Sequence, residues 1–418
     1  MSPEPVIAAI DGPTTLRHGA SAELAAALAD ARAHTLCLFD AFETTLPPGF
    51  EVPYQAELNP PLWELGHIAW FEESWLARNP LRGRWRDAGP DSARAASCLR
   101  HSRNADALYD SSFVAHARRW GLDLPNAQAT RRYAYEVRER SLALLHDMSR
   151  DAPHDDDALY FHRLALAHED MHGEAAIYMA QQLALPIGHA LRATAPIACT
   201  LEGEVMLPGG AYVLGSPNSG FSFDNELNAH ELMLKPFSID RTPVSWARLL
   251  PFIDAGGYDN QRWWTGEGFA WRQKHSNGRP RYLRRDADGA WQRASFGRWL
   301  PLDLQQPAMN LSQHEALAWC AFAGRRLPSE AEWECAATTL DDSFEWGQVW
   351  EWTSSPFTPY PGFTPHPYRD YSKPWFDGRP VLRGASFATA PRMKHPRYRN
   401  YFPAERNDIF AGLRSCAL

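Results

Sequence analysis

The chain has 418 residues, of which 22% are charged and 44% hydrophobic, and its formal net charge is −8. This length and composition are typical of a globular protein with two or three domains, and the negative charge argues against nucleic acid or a polybasic membrane anchor as a partner. The six cysteines form no CxxC pair, the N-terminus lacks a signal-peptide pattern, and no apolar run reaches the ~20 residues that cross a bilayer. We therefore expect a reduced, cytoplasmic protein without a membrane span.

Apolar residues recur with a helical period through most of residues 1–192, which predicts long helices. The expected four run from Ser21 to about Phe42, from Asn59 as an N-cap followed by two prolines, from about Ala129 to Met148, and from about Asp156 to Leu185, where Pro186 ends the helix. Four long helices with one long connection between the second and the third favour a four-helix bundle with a site between facing helices.

The character of the sequence changes near Ala195. Glycine, proline and tryptophan become frequent, helical runs shorten and turn signals dominate. Helices are expected from Ser312 to Ala323 and from Ser329 to Thr338, with strands at 211–214 and 237–239. Residues 193–418 are therefore predicted to form an irregular α+β domain, and the whole chain an α plus α+β fold.

Three histidines are the strongest candidates for a metal site. His168 and His172 are four residues apart on the fourth helix, which puts both imidazoles on one face, where they can bind one ion. His67, in the aromatic segment 63–71 of the second helix, is the candidate for a third ligand. Three neutral imidazoles leave open positions on the metal and suit Fe(II), although zinc accepts the same ligand types. The ordinary alternative is a chance histidine pair and a packed His67.

Three other polar residues near this helix are not expected to bind the ion. Glu174 lies roughly 200° around the helix from His172, so a structural pair or a contact behind the ligands is expected. His154 and His162 do not share the angular position of His168. We expect them to be solvent-exposed or packed.

Several motifs fill the C-terminal half: LPSEAEWE at 327–334, WGQVWEW at 346–352, RGAS at 383–386 and GLR at 412–414. By themselves they indicate scaffold residues, namely buried tryptophans, carboxylates that tie loops together and glycines at special dihedral angles. The motifs are similar to the signature of the formylglycine-generating-enzyme-type domain, which has a C-type-lectin-like fold. The HxxxHxE element at 168–174 resembles DinB-like four-helix domains.

The two parts in this order, over nearly the whole chain, resemble the ergothioneine-type sulfoxide synthases. The resemblance implies a non-haem Fe(2+) enzyme that joins a sulfur donor to the imidazole of hercynine (trimethylhistidine) with O2. His67, His168 and His172 match the iron ligands of that family. Formylglycine-generating enzymes use a cysteine pair near their C-terminal arginine-rich strand, and residues 397–402 contain no cysteine, so their oxidase activity is not expected.

The resemblance implies substrate contacts at Met171, Arg399, Asn400, Tyr401 and Phe402. Some of these positions depart from the family pattern. The hercynine-binding asparagine is retained as Asn400, whereas Met171 replaces a glutamine and Tyr401 a tryptophan. Phe402 replaces an aspartate that helps to bind the amino-acid thiol, so the donor is expected to lack an ammonium group. This change and the segment 107–120 resemble the selenoneine synthase branch, whose donor is a selenosugar.

The resemblance thus implies a carbon–selenium bond formed between hercynine and selenoglucose on the route to selenoneine. Tyr368 and Tyr371 are the implied catalytic proton donors, and aromatic faces of Tyr401, Phe402 and 346–352 are expected to hold the trimethylammonium. The alternatives are a sulfoxide synthase that uses cysteine or γ-glutamylcysteine, and a non-catalytic or zinc-binding DinB-like protein. A monomer or a small homo-oligomer is expected.

Overall fold

The computed structural model describes residues 12, 14–84, 88–148, 154–275 and 278–418. Within them the N-terminal part is helical, and its helices are α1 (Thr15–His18), α2 (Ser21–Thr45), α3 (Pro61–Trp75), α4 (Ala105–Tyr109), α5 (Ala127–Met148) and α6 (Asp156–Gln182). The four long helices α2, α3, α5 and α6 pack against one another, as the hydrophobic period predicts. They form a four-helix bundle, whose likeness to DinB domains stays a prediction.

The helix ends follow from local capping chemistry. The Asp155 carboxylate accepts hydrogen bonds from the backbone N–H groups of residues 157 and 158 and so caps α6. The prediction that Asn59 caps α3 is wrong, because Pro60 occupies that position. The Asn59 side chain instead accepts a hydrogen bond from Arg119 at 2.8 Å.

A buried network of four charges joins the long helices. Arg32 of α2 bonds Glu72 of α3 at 2.8 Å and Glu169 of α6 at 2.7 Å. Arg138 of α5 bonds the same two carboxylates, at 2.9 Å to Glu72 and with a shorter contact to Glu169. Each helix supplies one charge and all four side chains are buried. Since a buried charge is stable only when paired, the network fixes the helices relative to one another directly beside His168.

The C-terminal part mixes helices and strands. Its helices are α7 (Trp246–Asp254), α8 (Gly266–His275), α9 (Gln313–Ala323) and α10 (Glu330–Thr339). Its strands are β1 (Glu204–Leu207), β2 (Gly210–Leu214), β3 (His230–Leu234), β4 (Phe237–Asp240), β5 (Leu283–Arg285), β6 (Trp291–Ser295), β7 (Arg298–Pro301), β8 (Arg325–Arg326), β9 (Trp350–Pro356), β10 (Pro380–Arg383), β11 (Asn400–Tyr401), β12 (Ala411–Leu413) and β13 (Cys416–Ala417). The two helices and two strands predicted in this half are present.

The strands form small sheets with the orders β1-β4-β13-β8, β11-β10-β9-β12, β2-β3 and β5-β6-β7. The pairings are antiparallel except that of β12 with β9. None of the described helices combines the length and the apolarity that a bilayer-spanning segment needs.

The C-terminal motifs form the interior of this part. Glu351, in WGQVWEW, accepts hydrogen bonds from the Trp333 indole at 2.7 Å and from the Arg414 guanidinium at 2.8 Å. Arg383, in RGAS, forms an ion pair with Glu334 at 2.9 Å. All five of these side chains are fully buried. The interpretation of these motif residues as scaffold is therefore confirmed.

Contacts from α6 attach the bundle to the C-terminal part. The Asp170 carboxylate accepts two hydrogen bonds of 2.8 Å from Arg392, which also bonds Asp30 of α2 at 2.8 Å. One turn further, Glu174 accepts hydrogen bonds from side chains of the C-terminal part. The histidine-bearing helix is thus held against the second part of the chain by charge and hydrogen bonding.

Candidate metal centre and substrate pocket

The structure brings the three candidate histidines together. One possible ligand atom from each of His67, His168 and His172 lies within 4.8 Å of the other two. The ring centroids are 5.1 Å apart for His67 and His168, 4.9 Å for His67 and His172, and 4.4 Å for His168 and His172. His168 and His172 meet because they are one turn apart on α6. His67 joins them because α3 packs on α6.

Hydrogen bonds behind two of these rings set their orientation. The Nδ1 of His67 lies 2.8 Å from the carbonyl oxygen of Tyr109, and the Nδ1 of His172 lies 2.6 Å from a carboxylate oxygen of Glu64. Both partners are acceptors, so Nδ1 carries the proton in each ring and the Nε2 lone pair is free. This is the arrangement that orients metal-binding histidines. Sequence reasoning missed both partners, although Glu64 lies three residues before His67 on α3 and hence on the same face.

Aromatic packing fixes the remaining orientations. The His168 ring stacks on Phe71 with centroids 3.6 Å apart and an interplanar angle of 4°, and its Nδ1 has no hydrogen-bond partner among the described residues. The His67 ring stacks on Trp63 at 4.6 Å. Only 2% of His67 and 4% of His168 is exposed.

Burial decides the charge of these rings. It lowers the pKa of His67 to about 3, with the neighbouring His172 acting in the same direction. It also lowers the pKa of His168 well below the usual value. Both imidazoles are therefore neutral near pH 7, which is the form that binds a metal. The donor set of three nitrogens fits Fe(II) or Zn(II).

A cavity of about 250 Å³ opens beside His168 and His172, between α6 and the C-terminal part. The other residues that line it are Met171, Glu174, Ala175, Tyr178, Trp350, Tyr368, Tyr371, Tyr398, Asn400, Phe402 and Ile409. The predicted substrate contacts Met171, Asn400 and Phe402 thus lie beside the histidines, as do both predicted tyrosines. Tyr178, Tyr398 and Ile409 were missed, because their positions carry no motif and only the packing of the two parts brings them here.

Two predicted substrate contacts need correction. Arg399 is fully buried outside this cavity, and its guanidinium bonds Glu330 at 2.9 Å and the carbonyl oxygen of Asn225 at 2.8 Å. Tyr401 stacks on Phe357 at 3.9 Å and donates its hydroxyl to the carbonyl oxygen of Tyr371. Both side chains are occupied by structural partners, whereas the residues that alternate with them along the chain, Asn400 and Phe402, line the cavity.

The tyrosines form a group at one side of the cavity. Tyr368 meets Phe71 edge-on at 4.9 Å and lies 6.4 Å from the His168 ring centroid. Tyr371 hydrogen-bonds the Tyr398 side chain. Burial raises the pKa of all three phenols. Each phenol is therefore protonated near pH 7, and burial makes it a weaker acid than a free tyrosine.

The Glu174 carboxylate also lines the cavity. It accepts hydrogen bonds from the Trp350 indole at 2.8 Å, from Ser386 at 2.6 Å and from Thr389 at 2.7 Å. It does not belong to the cluster of possible ligands, and its role as a structural contact is confirmed. His154 is exposed and His162 is buried in the bundle, as expected for histidines outside the site.

Comparison with known proteins agrees with the two-part architecture. The family profile of the FGE-sulfatase domain, described as a Sulfatase-modifying factor enzyme 1-like domain, matches residues 190–348. The formylglycine-generating enzyme of Streptomyces coelicolor is 31% identical, but over only 32% of this chain and 47% of its own length. The class is therefore a helical bundle followed by an FGE-sulfatase domain, with a cluster of three imidazoles in the bundle, two of which line a cavity between the two parts.

Relatives that match almost the whole chain identify the family more closely. The hercynine oxygenase of Mycolicibacterium smegmatis is 34% identical over 94% of this chain and 97% of its own length. That of Mycobacterium tuberculosis is 33% identical over 94% of this chain and 98% of its own. The chain belongs to the hercynine oxygenase family.

Proposed function

We propose that this protein is a non-haem Fe(II) oxygenase that joins hercynine to a chalcogen donor with O2. The observation that carries the proposal is the convergence of His67, His168 and His172 beside a cavity that His168 and His172 line, with Glu64 and Tyr109 bonded behind two of the rings. The family membership supports hercynine as the acceptor. The chemistry that Fe(II) supplies when bound to these nitrogens is the activation of O2.

Hercynine binding is assigned to the wall formed by Asn400, Trp350 and Glu174. A trimethylammonium group has no hydrogen to donate and is held best by aromatic faces and nearby negative charge. Trp350 and Tyr398 meet edge-on at 5.4 Å and supply aromatic surface, and Glu174 is the acidic residue among those that line the described cavity. Asn400 supplies a neutral donor and acceptor for the polar end of the substrate.

The donor is proposed to be a selenosugar such as selenoglucose. Phe402 presents a phenyl ring to the cavity, and the Glu174 carboxylate is already occupied by three donors. An amino-acid thiol would thus find no free carboxylate for its ammonium group, whereas aromatic faces suit a sugar ring. In the proposed reaction a C–H of the imidazole and a Se–H of the donor are lost, the C–Se bond forms, and O2 gives one oxygen atom to selenium and one to water.

Proton transfer is assigned to the tyrosine group. Tyr368 is proposed as the proton donor because its ring stands beside His168 and its phenol is protonated near pH 7. Burial raises its pKa and so makes it a weaker acid, which means that the group it protonates must be strongly basic. Tyr371 remains the second candidate, and its bond to Tyr398 provides a path by which the proton is replaced.

A sulfoxide synthase that uses cysteine or γ-glutamylcysteine is the second candidate function. The Arg406 guanidinium favours it, because it lies 4.9 Å from the Phe402 ring and 5.8 Å from that of Tyr178, close enough to attract a carboxylate of such a donor. Arg406 is, however, paired with Asp408 through two bonds of 2.6 Å. The selenosugar therefore remains the preferred donor.

The two donors are separated by incubating iron-loaded protein with hercynine, O2 and either selenoglucose or γ-glutamylcysteine. Mass spectrometry of the products and oxygen uptake are the measurements. Coupling of the selenosugar is expected, and efficient turnover of the thiol alone would end the selenium proposal. Metal analysis of wild type and His168→Ala tests the remaining alternatives. A protein that retains zinc, or no metal, and consumes no O2 would be a non-catalytic or zinc-binding member of the fold.

A further inference from the structure

A second cavity, of about 410 Å³, lies at the C-terminal end of α6, where the β6–β7 hairpin packs on the bundle. The end of α6 is ten residues, or about 15 Å of helix, beyond His172. The residues that line this cavity are Pro186, Gly188, His189, Thr194, Ala195, Arg293, Ser295, Phe296, Arg298 and Leu300. None of them belongs to the pocket beside the histidines, so this is a separate site.

Arg293 is the unusual feature of this cavity. Only 7% of the residue is exposed, yet its guanidinium forms no ion pair with any residue that the structure describes. Its one hydrogen bond to the described part of the chain is long, at 3.5 Å to the carbonyl oxygen of Ala294. Burial lowers its pKa to about 10, with no acidic group acting against that effect. A buried guanidinium without a counter-ion is costly, and an anion bound in the cavity would stabilise it.

The helix end does not provide enough compensation. A helix C-terminus carries about half of an elementary negative charge, and the effect falls off within the last turn. The other buried arginines that the structure describes in the bundle and its interface, such as Arg32, Arg138 and Arg392, bond at least one carboxylate. Arg293 departs from that rule at a cavity, where a ligand can supply the missing charge.

The hairpin presents a set of donors around this cavity. Arg293 and Ser295 are two residues apart on β6 and so lie on one face, and their partners across the hairpin are Leu300 and Arg298. All four line the cavity. His189 and Thr194, on the segment after α6, complete the polar rim, and no aspartate or glutamate is among the described residues that line it. The site therefore has two guanidinium groups, hydroxyl donors and no acid.

The hairpin is held in this position by specific contacts. The Gln181 amide accepts a hydrogen bond from the N–H of Phe296 at 2.8 Å and donates one to the carbonyl oxygen of Ala294 at 3.2 Å. At Gly297 a side chain would come within 2.4 Å of the Ala184 carbonyl oxygen, and φ there is +80°, so only glycine fits. The cavity wall is thus preformed by the fold.

We propose that this cavity binds a phosphate group of a small molecule through the buried Arg293 and the rim Arg298. Two guanidinium charges with hydroxyl donors suit a dianionic oxyanion better than a single carboxylate. A volume of about 410 Å³ exceeds that of the ion alone, which leaves room for the rest of the molecule. The inference does not depend on the activity proposed above.

The test uses the full chain and inorganic phosphate, with acetate as the carboxylate probe. Isothermal titration and the thermal unfolding midpoint report binding. Phosphate is expected to bind saturably and to raise the midpoint, with Arg293→Met weakening the binding by roughly tenfold or more. Arg284→Met is the matched control, because that arginine lies on the adjacent strand β5 and bonds Gln292 instead, and its phosphate binding should equal that of wild type.

A second readout separates a binding role from a folding role. Without phosphate, Arg293→Met should be at least as stable as wild type, because an unpaired buried charge has been removed, and added phosphate should reverse that order. Should Arg293→Met fail to fold, Arg298→Met at the exposed rim carries the test, and it should also bind phosphate more weakly. No saturable phosphate response, an equal response in both variants, or equally tight binding of acetate would overturn the proposal.

Discussion

The carboxylate of Glu64 is the most informative residue to change, because it touches the candidate centre without being one of its ligands. Its oxygen lies 2.6 Å from Nδ1 of His172. Burial alone raises the pKa of Glu64, but the neighbouring His172 and the hydrogen bond to it lower that pKa below its usual value. Glu64→Gln retains an acceptor of nearly the same shape and removes only the negative charge. Glu64→Ala removes both.

The expected magnitude follows from the strength of this bond. Hydrogen bonds to charged groups contribute about 1.5–3 kcal/mol, against roughly 1 kcal/mol for neutral ones. Loss of a partner behind a metal-binding histidine lowers metal affinity by about 10- to 100-fold, which corresponds to about 1.4–2.8 kcal/mol. We expect Glu64→Gln near the lower end of that range and Glu64→Ala near the upper end.

The assay is a competition titration of Fe(II) or Zn(II) against a chelator of known affinity, with circular dichroism to verify the fold. Glu174→Gln is the matched control, since Glu174 is a carboxylate in the same cavity that bonds Trp350, Ser386 and Thr389 rather than a histidine. Its metal affinity should stay close to that of wild type. If both Glu64 variants bound metal as tightly as wild type, the argument that Nε2 of His172 faces an ion would be refuted.

Three further predictions follow from the buried charges and from the cavity. Arg138→Met should lower the free energy of unfolding by about 3–5 kcal/mol in chemical denaturation, because it leaves Glu72 and Glu169 to share one arginine; a loss below about 1 kcal/mol would contradict the network's role. Burial lowers the pKa of His162 to about 3 in the folded state, whereas the usual value is 6.5. The unfolded chain therefore binds the proton at a higher pH than the folded chain does. The contribution of neutral His162 to the free energy of unfolding is fully present above pH 6.5 and is lost as the pH falls toward 3. Across that interval the free energy of unfolding of wild type should fall with pH by about 1.4 kcal/mol per pH unit more than that of His162→Leu. The same pH dependence in both proteins would contradict this prediction. Phe402→Asp should shift donor preference from the selenosugar toward γ-glutamylcysteine in paired turnover assays, by about tenfold or more because an ammonium then finds a carboxylate; an unchanged ratio would show that Phe402 does not select the donor.

The helical half of the chain was largely predictable because its signals are local. The hydrophobic period gave α2, α3, α5 and α6 to within a few residues. The spacing of His168 and His172 placed both on one face of α6, since four residues are close to one helical turn. The C-terminal motifs likewise indicated the FGE-sulfatase domain that the profile matches. These inferences need only neighbours along the chain or a recognisable signature.

The parts that could not be predicted depend on contacts between residues far apart in the sequence. Arg399 was expected at the substrate from the family resemblance, but only the packed structure turns it toward Glu330. Tyr178 and Tyr398 enter the cavity because α6 lies against the C-terminal part. No local pattern encodes which side of a two-residue strand faces the cavity, since a shift of one residue exchanges the two sides.

The sequence by itself determined the helices, the pair of histidines on one face of α6 and the family. Only the tertiary structure decided that His67 meets that pair, that Glu64 and Tyr109 orient two of the rings, and that Arg293 is buried without a counter-ion among the described residues. The physical reason is that periodicity and capping act over one or two turns of chain. Side-chain direction, burial and ion pairing are fixed only when separate elements pack together.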